Sequence, residues 1–153
     1  MLILNDVETI DFVKEILMNF VDFKEEDLLI ADLTRAKFRC KILYICCFIR
    51  ENDFKEALKH SKTLMKKLKK QYHQNDLREA LFMAKHLKLR QEHEQALTIL
   101  FIVKKLQKKM NVQTLKLNGV EIDIDRDIEF CTHRLGGLPE HLREKDKRDC
   151  IVM

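Results

Sequence analysis

The first 118 residues contain neither glycine nor proline, the two residues that most readily break regular backbone. Gly119, Gly136, Gly137 and Pro139 all fall after them. Long helices follow from that distribution. The composition agrees: 46% apolar and 35% charged residues with a single serine describe a folded, charge-rich helical chain rather than a disordered one. At 153 residues the chain is long enough for one domain with a real core.

Apolar spacing divides this stretch into helices. Asn5 can cap a first one, with Glu8 completing a box-like start and Ile10, Val13, Ile16, Leu17, Phe20 and Val21 on its apolar side. Glu25-Glu26-Asp27 suits the first turn of a second helix, which either runs unbroken to Arg50 or jogs near Asp32-Leu33-Thr34. Asn52-Asp53 interrupts the pattern. From Asp53 to about Tyr72, Phe54, Ala57, Leu58, Ser61, Leu64, Met65 and Leu68 form one face, and Lys55, Lys59, Lys62, Lys66 and Lys69 form another. Asn75 is the expected cap of the next helix, whose buried stripe is Leu77, Ala80, Leu81, Ala84 and Leu87. After Gln91 a fourth runs to about Asn111, with Ala96, Leu97, Leu100, Val103 and Leu106 inward. Ile99, Phe101 and Ile102 widen its apolar surface enough to meet two neighbours.

The period changes at residue 113. Thr114 to Leu117 and Val120 to Ile124 alternate around Asn118-Gly119, the strongest short-range hairpin signal. A lone hairpin is marginal, so it is expected to pack on the helices. Asp127 to Arg134 reads as a short helix ending at Gly136-Gly137, and Leu138-Pro139 opens a tail. The expected layout is capping helices over residues 1–37, two helix pairs over 38–111, hairpin and short helix over 112–139, and a flexible tail over 140–153.

A repeat lies within the helical part. Asn52-Asp53-Phe54-Lys55-Glu56-Ala57-Leu58 and Gln91-Glu92-His93-Glu94-Gln95-Ala96-Leu97 occupy equivalent positions 39 residues apart. Each has an acidic residue, an aromatic (Phe54, His93), two polar residues and Ala-Leu (Ala57, Ala96) at a tight turn between long helices. The aromatic is expected to fill the turn, while the Ala lets the helices approach closely. This pattern resembles the tetratricopeptide repeat, over about residues 38–110. Met83-Ala84, Leu87, Tyr44 and Phe48 also fall at family positions, but Ile45 stands where a small residue is usual and the closing proline is missing. The resemblance implies a right-handed superhelix of antiparallel helix pairs, the first helix of each pair lining a concave groove. Lys41, Tyr44, Phe48, Lys85 and Lys88 are its candidate groove residues, suited to an acidic or C-terminal carboxylate peptide.

The chain closes on Cys150-Ile151-Val152-Met153, which reads as a CaaX box: a substrate for a protein prenyltransferase, with the terminal Met favouring farnesyl on Cys150. One lipid gives only marginal attachment, and the tail's Arg143, Lys145, Lys147 and Arg148 are interleaved with Glu144, Asp146 and Asp149. The five cysteines lack a disulfide framework, no leader pattern opens the chain, and the longest apolar run, Ile42 to Ile49, has eight residues. A cytoplasmic chain, peripheral on the cytosolic face of membranes when prenylated, is the expectation.

Charge is segregated. Residues 1–34 carry net −7, residues 35–111 net +13 and residues 112–153 net −2. A basic middle meets acidic partners, anionic lipid or nucleic acid, or is simply a solvated lysine face. No metal-ligand spacing joins the histidines and cysteines, and Cys46-Cys47 sits in a run typical of buried thiols. Ser61 lacks a nucleophile context, and Asp123, Asp125 and Asp127 lack the glycine and distal glutamate of a calcium loop. No cofactor, metal site or enzymatic activity is expected.

The sequence therefore points to an all-α superhelical scaffold with a small C-terminal β-hairpin, acting as a non-catalytic adaptor tethered by farnesylated Cys150. A competing class is nucleic-acid binding through Lys55, Lys59, Lys62, Lys66 and Lys69 with Lys104, Lys105, Lys108 and Lys109. A third is a structural subunit that completes a partner's superhelix.

Overall fold

The computed structural model describes residues 11, 13–15, 31–68 and 73–143. Five helices and one hairpin follow each other: α1 (Ala31–Arg50), α2 (Phe54–Lys66), α3 (Arg78–Leu89), α4 (His93–Met110), β1 (Leu115–Leu117), β2 (Val120–Ile122) and α5 (Ile124–Leu135). Short 3₁₀ turns precede α3 (Gln74–Leu77) and close the described chain (Glu140–Leu142). Asp11 and residues 13–15 are also helical. The fold is predominantly helical with a two-stranded antiparallel sheet, as the breaker-free sequence requires.

With no glycine available, three helices end on other residues in the left-handed region: Asn52 after α1, Gln91 after α3 and Asn111 after α4, at φ 62°, 63° and 58°. Each end is a Schellman motif, in which two backbone N–H groups fold back to satisfy the last carbonyls. At the first turn Asp53 N–H reaches Phe48 O at 2.9 Å and Asn52 N–H reaches Ile49 O at 3.0 Å. At the second, Glu92 N–H reaches Leu87 O at 2.9 Å and Gln91 N–H reaches Lys88 O at 3.1 Å. The next helix starts at once, with Ala57 N–H on Asp53 O and Ala96 N–H on Glu92 O, both 3.1 Å. The two turns 39 residues apart thus share one backbone geometry.

They also lie side by side. Arg50 donates to Glu92 at 2.7 Å and to the Gln95 amide oxygen at 2.5 Å, while Gln95 Nε2 donates to Asn52 Oδ1 at 2.9 Å. Further along α1, Arg35 grips the buried Asp76 and Arg39 pairs with Glu79. Hairpin α1/α2 is therefore laced to hairpin α3/α4 along the length of α1. The strongest helix contacts are α1 with α2, α3 with α4, and α4 with α5, and α4 also touches both α1 and α2. Its wide apolar surface meets more neighbours than the two expected. Ala96, Leu97, Ile99, Leu100, Ile102, Val103 and Leu106 are all buried there. Ala57 and Ala96, both without exposed surface, sit at the close approaches.

Several element boundaries differ from the sequence reading. α1 is continuous through Asp32-Leu33-Thr34. α2 ends at Lys66, where Lys67 caps it, rather than reaching Tyr72. Asn75 does not cap α3; Asp76 accepts from the His73 N–H at 2.8 Å and opens a 3₁₀ turn that feeds the helix. α5 starts three residues early because Asp123 caps it, accepting from the Arg126 N–H at 3.2 Å. Of the expected first helix only Asp11 and residues 13–15 are described; Asn5, the joint near residue 25, Lys69 and the CaaX tetrapeptide lie outside the described residues.

The hairpin pairs Leu115 with Ile122 and Leu117 with Val120. Asn118 and Gly119 both take positive φ, as the right-handed strand twist demands of a two-residue loop. It does pack on the helices: β1, with Leu115 in the core, lies against α3 and its leading turn, and Lys116 N–H donates to Gln74 Oε1 at 2.8 Å.

Candidate functional site

The five groove candidates do not converge on one open surface. Lys41, Tyr44 and Phe48 share a face of α1, but that face looks at α2. Tyr44 meets the His60 ring edge-on at 5.2 Å, and Phe48 stacks on it at 5.1 Å. Lys14 then covers Phe48, its Nζ 4.1 Å from the ring centroid and 2.9 Å from Glu51. Lys41 lines a narrow crevice with Lys37, Phe38, Leu64 and Lys67 at the far end of the same interface.

On α3 the picture differs. Lys88 is held by α5, bonded to Asp127 at 2.8 Å with its Nζ 4.5 Å from the Phe130 ring. Arg134 lies over the same ring at 5.3 Å. Beside this cluster Phe82, Lys85 and Leu89 share the exposed face of α3 at helical spacing, and Leu89 is 76% exposed. An apolar pair around a lysine, next to a cation-flanked phenylalanine, is the most partner-like surface among the described residues. Phe82, Leu89 and Phe130 went unnoticed in the sequence because single exposed apolar residues carry no periodic signal.

The aromatics of the two turns point forward, to later elements. Phe54 stacks on His141 with ring centroids 4.1 Å apart, and His93 meets Phe130 edge-on at 5.8 Å. His141 is fixed further by a 2.8 Å contact with Thr98 Oγ1. Because Thr98 already donates to the Glu94 carbonyl, the imidazole N–H is the donor in that contact. Burial holds the His141 pKa below its ordinary value, against the opposing pull of Glu94. The segment 138–143 is thereby docked on the start of α2 and the first turns of α4.

The lysines expected to form one basic face fall into two groups. Lys55, Lys59, Lys62 and Lys66 are exposed along α2, and none has a partner among the described residues. On α4, Lys104 is paired with Asp125 at 2.5 Å. Lys104 and Lys108 border a cleft of about 550 Å³ between α4, the hairpin and the start of α5, where Glu121, Asp123 and Asp125 supply the opposite charge. Lys105 and Lys109 are exposed on the same helix.

The thiols are structural in their surroundings. Burial pushes Cys46 far above the ordinary thiol range, and burial lifts Cys47 to about 12, with Lys14 lowering it and Glu51 raising it. Burial also raises Cys40 and Cys131. None of the four is poised as a thiolate. Among the described residues no group of three or more His, Cys, Asp or Glu side chains is placed to hold a metal ion, and no helix is long and apolar enough to cross a membrane. Compared with known proteins, the chain matches no family model, no curated protein and no solved structure.

Proposed function

We propose that the chain is a non-catalytic adaptor: a tetratricopeptide-like stack of helix pairs that presents a protein-binding face and is tethered reversibly to membranes by farnesylated Cys150. The observation that carries the scaffold reading is the pair of matching turns, Asn52-Asp53 and Gln91-Glu92, laced together by Arg50 and Gln95. Helix hairpins with matching turns, linked side by side, are what a helical-repeat scaffold is made of.

The partner face in this reading moves from the first helices jointly to α3 alone, around Phe82, Lys85 and Leu89. The lysine suits a partner carrying acidic residues beside apolar anchors, which agrees with the acidic peptide expected from the sequence. The anchor reading rests on the CaaX tetrapeptide.

Two measurements test the two halves. Intact mass of the protein from eukaryotic cells should show farnesyl addition at Cys150 with loss of the last three residues; an unmodified Met153 terminus in cells with active prenyltransferase ends the tether. Affinity capture with wild type, Cys150→Ser and Phe82→Ala/Leu89→Ala should give one partner set that survives the cysteine change and is lost with the α3 change. Partners retained by the α3 variant would rule that face out.

A further inference from the structure

The exposed lysine row of α2 has a direction. Counting 100° per residue around the helix, Phe54 and the buried Ala57, Ser61 and Leu64 define the inward side. Glu56 and His60, which lies against Tyr44 and Phe48 of α1, occupy one flank. Lys55, Lys59, Lys62 and Lys66 face outward, roughly 80–140° round from Phe54, on the side of the helix away from His60. On that side the C-terminal segment docks, with His141 stacked on Phe54. The row is about 16 Å long, eleven steps at helical rise. Cys150 lies seven residues beyond Arg143, the last described residue. Fully extended, that stretch spans at most about 25 Å, longer than the row itself.

We infer that the lysine face of α2 is a membrane-docking surface for an anionic bilayer, and that it supplies the second signal a single prenyl chain lacks. This rests on the tether reading for its combined effect, while the surface itself acts without the lipid. Four exposed lysines in one row, none of them ion-paired among the described residues, attract a negatively charged surface. Several other cations are neutralised within the fold. Arg35, Arg39 and Arg50 are spent on Asp76, Glu79 and Glu92, and Lys88 and Lys104 on Asp127 and Asp125. The tail's own charges nearly cancel, so they cannot be the second signal. Docking of residues 138–143 on Phe54 starts the tail beside the N-terminal end of α2, the helix that carries the row.

The test is co-sedimentation of the full chain with vesicles of phosphatidylcholine containing 30% phosphatidylserine, or of phosphatidylcholine alone, over a salt titration. It is run with the unlipidated protein and with protein farnesylated on Cys150 by purified enzyme. The unlipidated wild type should sediment with the anionic vesicles at low salt and be released as salt rises. Lys55→Gln/Lys59→Gln/Lys62→Gln/Lys66→Gln should bind at least about tenfold more weakly at low salt with an unchanged thermal melt. The control Lys108→Gln/Lys109→Gln/Lys116→Gln should bind as wild type. The farnesylated wild type should stay bound at a salt concentration that releases the farnesylated quadruple variant. Equal binding of the quadruple variant, or equal binding to neutral vesicles, overturns the surface. Displacement of vesicles by stoichiometric single-stranded RNA through the same four lysines reassigns it to nucleic acid. Failure of the enzyme to modify Cys150 overturns the tether alone, because the unlipidated arm still decides the surface.

Discussion

Asp76 shows how much of the basic excess of residues 35–111 is internal. Its carboxylate is 1% exposed, accepts from Arg35 Nε on both oxygens at 3.2 and 3.1 Å, and caps the turn through His73 N–H. A buried carboxylate is tolerated only when its lone pairs are filled in this way. Asp76→Ala should therefore cost about 3 kcal/mol in urea unfolding, by leaving the Arg35 guanidinium half-buried and the His73 N–H unpaired. Asp76→Asn, which keeps the shape and one acceptor, should cost about half that. From sequence Asp76 was one acidic residue among seven in a lysine-rich stretch, and Asn75 beside it was the expected cap. Capping propensity nearly ties Asp with Asn, so which one turns inward is decided by the partner 41 residues away, Arg35. Cys46 and Cys47 were legible for the opposite reason: an eight-residue apolar run leaves a thiol no solvent-facing side.

At the scale of elements, the two turns separate what local sequence decides from what packing decides. Gln91 holds φ 63° with no glycine's freedom and an exposed side chain, so the left-handed cap is strained. Gln91→Gly should stabilise the fold by up to about 1 kcal/mol in thermal or urea unfolding. Asn52→Gly relieves the same backbone but forfeits the 2.9 Å bond from Gln95, so it should gain nothing or lose stability. The turns and the Asn118-Gly119 hairpin were readable because each is written within a few residues. The groove was not, since which face of α1 meets α2 depends on His60 receiving Tyr44 and Phe48, a contact no spacing encodes. The docked segment 138–143 was equally hidden, and it carries a pH dependence. Burial favours neutral His141 in the fold, while the unfolded imidazole takes a proton below about 6.5. Docking should thus be fully present above that pH and weaken as pH falls through the depressed native value. Amide exchange over residues 138–143 at pH 7.5 and pH 5 measures it, and His141→Phe, which keeps the stack on Phe54 without a titrating group, should flatten the response.

For the whole molecule, α4 is where the two hairpins, the β-hairpin's neighbour α5 and the docked tail segment meet. Its wide apolar surface pointed to two neighbours where there are four, and sequence periodicity could not name them, because a helix buried nearly all round loses the one-sided stripe that gives orientation. The consequence concerns cooperativity. A stack in which each helix pair touches only its neighbour unfolds in separable units. Here α4 contacts α1 and α2 directly, as well as α3 and α5, so the second pair's last helix is part of the first pair's core. Leu97, which has no exposed surface, lies on this helix. Leu97→Ala should cost about 3 kcal/mol by leaving a cavity in the core around α4. The loss should reach both pairs: native-state hydrogen exchange should show amides of α1 and α2 losing protection in step with those of α3 and α4. Protection lost from α3 and α4 alone would mean that the pairs are energetically independent and that the α1–α4 contact adds little.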